Sequence, residues 1–131
     1  MKPRTLLTVL LYLIALHSFC VGLALIILPL STLEYFGYEG YAGNFFKAQG
    51  GIFHVVMSII YIVAARDVDK NRILIYLTLT AKFIATVFLL GYYFIYEQIW
   101  MVLVSGIADF LMGICVLILL RAYQKKPYEI I

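Results

Sequence analysis

The sequence predicts an all-α fold, a four-helix bundle integral to a membrane, in one domain over residues 1–131. Three observations lead there. Hydrophobic residues make up 65% of the chain and charged residues 13%, with a mean hydropathy of +1.02, whereas soluble domains average about 45–50% apolar and about 25% charged. The apolar residues gather into four runs, each near the roughly 20 residues that a helix needs to cross a hydrocarbon core. The basic residues stand at the ends of those runs instead of forming a patch. The net charge of +3 is therefore a topology signal, and nucleic acid is not an expected partner.

The first run covers residues 6–30 and is closed by Pro29 and the polar Ser31-Thr32. "MKPR" followed by leucines resembles a signal peptide, but the apolar stretch outruns the usual 7–15 residues and no A-x-A-like site follows. A retained helix is expected. The second run, 46–65, stops at Arg66-Asp67; the third, 73–96, stops at Glu97-Gln98; the fourth, 100–120, stops at Arg121. Backbone polar groups in hydrocarbon must be satisfied internally, so each run is a helix. Cys20 and Cys115 both fall inside these runs, without a CxxC or zinc-ligand spacing. They read as small packed hydrophobes. Their depths differ by about 15 Å at helical rise, too far for a disulfide.

Orientation follows from Lys and Arg. Eight of the ten lie on one side: Lys2, Arg4, Arg66, Lys70, Arg72, Arg121, Lys125 and Lys126. The positive-inside bias places both termini in the cytoplasm, with Glu34, Glu39 and Glu97 outside. The outer loop carries Tyr35, Phe36, Tyr38, Tyr41, Phe45 and Phe46. Aromatic rings favour the membrane interface, so this loop reads as an anchor, with a lid over the bundle as the sharper alternative.

Each helix also carries one ionisable residue near mid-depth. Lys82 sits in "LTLTAKFIATVFLL", ten residues from Arg72. Asp109 is twelve from Arg121, His17 thirteen from Arg4 and His54 twelve from Arg66. All four fall about 15–20 Å from the basic edge. Helical spacing groups Gly106, Asp109 and Gly113 on one face, Thr78, Lys82, Thr86 and Leu89 on another, and Lys47, Gly50, His54 and Tyr61 on a third, with Ser58 beside them. Small residues let membrane helices approach closely. The simplest bundle turns these stripes inward and pairs Lys82 with Asp109, because a charge at mid-bilayer costs at least about 2.5–3.5 kcal/mol.

The predicted centre is His17, His54, Lys82 and Asp109, with Lys47 and Gln49 near the outer mouth. Intramembrane ionisable groups are functional candidates by default, although a buried ion pair can also be only a lock on helix register. The reading is a membrane module that binds a small hydrophobic or amphiphilic molecule, or a partner subunit or second copy, with no cofactor or metal required. Alternatives use the same groups as a proton relay in transport, as acid and base in an enzyme, or as His17/His54 axial ligands of a b-type haem.

The stretch "GLALIILPLSTLEYFGYEG … NFFKAQGGIFHVVMSIIYIVAARD" resembles the DoxX-like group of small four-helix membrane proteins. The likeness rests on a first helix ending in Leu-Pro, a short outer loop with Gly, then Lys47 and Gly50-Gly51 opening a second helix that ends in a charged turn. The motif covers about residues 22–67, and the likeness in helix count covers the chain. It implies a multi-pass protein of the cell inner membrane; many such proteins have no assigned activity, and some are described as subunits or partners of redox enzymes. It implies no catalytic residue.

The topology is open to direct test. In intact cells, a membrane-impermeant thiol reagent is expected to label a cysteine placed at Tyr38 and to miss one placed at Asn71, which basic residues flank on both sides. The reverse pattern would invert the orientation and every depth that depends on it.

Overall fold

The computed structural model describes residues 2–40 and 43–124, and they are all-helical. Tyr41, Lys125 and Lys126, named above for their side of the membrane, lie outside the described residues. Helix α1 spans Pro3–Ile27, α2 Leu30–Glu34, α3 Phe45–Arg66, α4 Arg72–Ile95 and α5 Trp100–Gln124. Helices α1, α3, α4 and α5 are long and apolar enough to cross a membrane. The molecule is a small multi-pass membrane protein.

Helix ends follow local chemistry. Pro29 has no N–H and disfavours the helical region for the residue before it. Leu28 is accordingly extended (φ −65°, ψ 141°), and α1 ends at Ile27, three residues short of the predicted boundary. The chain then forms the short helix α2, which the sequence did not suggest. Gly37 turns it back with a φ of 88°. A Cβ there would stand 3.1 Å from Trp100 Cδ1, so this glycine also lets the loop lie against the start of α5. Phe36 meets the Trp100 ring at a centroid distance of 6.1 Å, and Leu33 and Ile99 are buried in the same seam. The loop is therefore tied across one corner of the bundle. Tyr35, Phe45 and Phe46 remain exposed, as interfacial anchors would be.

At the opposite end, Asp69 joins two elements. It pairs with Arg4 at 2.9 Å and accepts a hydrogen bond from the Tyr123 hydroxyl. Arg72 lies over the Tyr123 ring, 5.8 Å from its centroid. In the α3–α4 turn, the Asp67 carboxylate accepts from the backbone N–H groups of Lys70 and Asp69, which hold its carboxyl below the usual carboxylate range.

The long helices form a ring in which α1 packs chiefly on α3 and α4 chiefly on α5, with α1–α5 and α3–α4 closing the square. Chain neighbours are antiparallel. The apolar core lies towards the basic end, with Leu7, Leu11 and Ile14 of α1, Ala64 and Ala65 of α3, Ile75 of α4, and Val116 and Leu120 of α5. Towards the other end, contact depends on glycine. A Cβ on Gly51 would lie 2.7 Å from the Gly22 carbonyl oxygen, and one on Gly22 would lie 2.8 Å from the Gly51 carbonyl oxygen. The α1–α3 crossing is thus backbone against backbone. The predicted inward glycine of α3 was Gly50; the structure buries Gly51 and leaves Gly50 partly exposed. Both cysteines are free and exposed on the outer surface, not packed as predicted.

These contacts make a graded prediction. Gly51→Leu is expected to lower stability in detergent by about 1–3 kcal/mol, because backbone atoms cannot yield to the added side chain. Gly91→Ala on α4, where an added Cβ meets nothing within 4 Å, should instead be neutral or stabilising by up to about 1 kcal/mol. Thermal unfolding of the two variants beside the parent decides it.

Candidate functional site

The centre of the site is an ion pair between α4 and α5. Lys82 Nζ donates to Asp109 Oδ1 at 2.5 Å, and the two side chains are 6% and 15% exposed. Helical register brings them together. Thr78, Lys82 and Thr86 form the buried stripe of α4, and Gly106 and Gly113 flank Asp109 on α5. A Cβ on Gly113 would stand 3.4 Å from Lys82 Cβ, at van der Waals contact, so Gly113 backs directly onto the lysine stem. The stripes predicted for these two helices are observed except at Leu89, which is only partly buried, while Ile75 extends the buried stripe of α4.

Three other buried hydroxyls are committed to their own helices. Thr78 Oγ1 donates to the Leu74 carbonyl, Thr86 Oγ1 to the Lys82 carbonyl and Ser58 Oγ to the Val55 carbonyl. Each bond satisfies a polar group where there is no water to do so. Thr78 and Thr86 share the α4 stripe with Lys82, Ser58 lies on α3, and these three hydroxyls bond to backbone carbonyls and not to the ion-paired side chains.

Helix α3 contributes Tyr61 and His54. The Lys82 ammonium stands 5.7 Å from the centroid of the Tyr61 ring, within the range of a cation–π contact. His54 is half-buried, and the charges of Lys82 and Asp109 both reach its ring. Ser18 on α1 holds the histidine from the other side. Its Oγ donates to the His54 carbonyl at 3.0 Å and lies 3.3 Å from Nδ1. A hydroxyl has one proton, so with that proton on the carbonyl, Nδ1–H becomes the donor to Ser18.

The remaining candidates fall elsewhere. His17 is exposed on α1, beside the inward Ser18, on the outside of the bundle at the level of His54, whose ring its charge also reaches. The bundle interior therefore holds a single histidine, whereas axial ligation of a haem by two imidazoles needs both on one cavity. Lys47 donates to the Leu28 carbonyl and so caps the end of α1, one of the last-turn carbonyls that have no helical partner. Gln49 is exposed. Two residues enter that the sequence did not place in the centre. The sequence places Tyr61 on the inward stripe of α3 only, and it marks Ser18 no further than as a polar residue next to His17.

Comparison with protein-family models, with curated proteins and with solved structures finds no match to this chain. The chemistry of the site therefore rests on its own geometry.

If Lys82 and Asp109 carry each other's charge, Lys82→Met or Asp109→Leu alone should destabilise by about 3–5 kcal/mol, while the double apolar change should be near neutral. A double-mutant cycle on thermal stability in detergent measures the coupling. Additive losses would mean that the pair contributes nothing as a pair.

Proposed function

We propose that this membrane protein is a non-enzymatic binding module whose Lys82–Asp109 centre receives a small amphiphilic molecule from the bilayer. One observation carries the reading: the pair is buried at mid-depth, yet the Asp109 side chain keeps 15% of its surface open, beside the lipid-facing Phe110. A lock for helix register needs no such opening. The polar centre would hold the head of the ligand, and the surrounding apolar helices its tail.

The opposed ends of the bundle support an orientation with both termini in the cytoplasm. Arg4, Arg66, Lys70, Arg72 and Arg121 gather at one end, and Glu34, Glu39 and Glu97 at the other, with the exposed Tyr35, Phe45, Phe46 and Tyr96. Membership of the DoxX-like group, and with it the cell inner membrane, is part of the same proposal. Its supporting features are the Leu28-Pro29 break after α1 and the Gly50-Gly51 opening of α3, where Gly51 makes the crossing with Gly22.

The reading is tested by what the protein retains on purification. The wild type and the Lys82→Met/Asp109→Leu double variant are extracted in parallel and their bound small molecules compared by mass spectrometry. A stoichiometric species in the wild type that is missing from the folded double variant is expected. Identical extracts would remove the binding role.

A further inference from the structure

We infer that the ligand of this site is uncharged and presents a hydroxyl group to Lys82 and Asp109. The inference rests on the binding role proposed above and names the chemistry of what is bound.

The starting point is the hydrogen-bonding capacity left over at the centre. An ammonium has three donors, and Lys82 spends one on Asp109 Oδ1. Asp109 Oδ2 accepts no hydrogen bond from any described residue, although a carboxylate oxygen can accept two. Tyr61 is only 3% exposed, and its hydroxyl also makes no hydrogen bond among the described residues. It is not sealed off, because no fully buried side-chain nitrogen or oxygen among them lacks a partner. The Asp109 charge reaches the Tyr61 hydroxyl as well. Three polar groups from α3, α4 and α5 therefore retain unused capacity, with Lys82 Nζ 2.5 Å from Asp109 Oδ1 and 5.7 Å from the centroid of the Tyr61 ring. In hydrocarbon each such group is costly to leave unmatched.

Charge decides the class of ligand. Lys82 and Asp109 neutralise each other, so an added anion or cation would bring an unpaired charge to mid-bilayer. Donor and acceptor then decide the group. The free valences are N–H donors on Lys82 and an acceptor on Asp109, with Tyr61 able to serve as either. A hydroxyl satisfies both at once: its proton goes to Asp109 Oδ2 and its oxygen accepts from Lys82. An ester or ketone carbonyl would satisfy Lys82 and leave Asp109 Oδ2 bare. Phe83 and Phe110, whose rings meet across α4 and α5 at a centroid distance of 6.5 Å, make the adjoining surface apolar, so the rest of the molecule must be apolar too. A long-chain or isoprenoid alcohol has this form.

Three probes of equal length, 1-decanol, decanoate and decylammonium, separate the possibilities. Binding to the wild type in phosphatidylcholine nanodiscs is measured against the Lys82→Met/Asp109→Leu double variant, which corrects for partition into lipid. Decanol is expected to bind above that background, with the two ions weaker by about tenfold or more, the unpaired charge in an apolar site being costly. Asp109→Asn should move the preference to decanoate and Lys82→Met to decylammonium, since each leaves one charge without its partner; either variant suffices if the other does not fold. A wild type that prefers an ion, or takes all three alike, would overturn the hydroxyl assignment and leave the binding role standing. No probe above background would overturn the binding role itself.

Discussion

The bundle is organised around the need to keep the Lys82 charge out of lipid. One ammonium at mid-depth constrains two helices at once. α4 must rotate until Lys82 faces inward, and α5 must present Asp109 at the same level. Everything nearby accommodates that pairing. Gly113 backs onto the lysine stem, and the Tyr61 ring of α3 lies against the ammonium. Replacing the pair with apolar residues would relieve the constraint, which is why a buried ion pair is weak evidence for stability and better evidence for register or function.

The two ends of the bundle are held by different physics. In lipid there is little hydrophobic gain from bringing helices together, so packing and polar contacts decide their association. At the basic end, branched and small apolar side chains interlock, and Asp69 ties α1 to α5 through Arg4 and Tyr123. At the other end, side-chain packing is sparser, and the backbone contact of Gly22 with Gly51 and the seam between the loop and Trp100 take over. The ion pair sits between these regions. One side of it meets the interlocked apolar core and the other the glycine-dependent contacts.

Much of this was legible from residue type and spacing. Four apolar runs of membrane length, in a medium that leaves the backbone no other way to satisfy its hydrogen bonds, determine four helices. The stripe of α4 and the glycines around Asp109 determine which faces of α4 and α5 meet, because a 3.6-residue period relates sequence position directly to direction. The Lys82–Asp109 pair follows from those two facts and the cost of an isolated charge.

What the tertiary structure decided lies where position along one helix says nothing about its neighbours. His17 has the same depth as the centre but faces outward, since Ser18 and Gly22 take the side of α1 that meets α3. Gly51, and not Gly50, forms the crossing, because the rotation of α3 is set by its backbone contact with α1 and a single residue turns a helix by about 100°. Lys47 is spent on the Leu28 carbonyl, a group freed by a proline eighteen residues earlier. Sequence alone determined how deep each polar residue lies; only the packing of helix on helix decided which of them face one another.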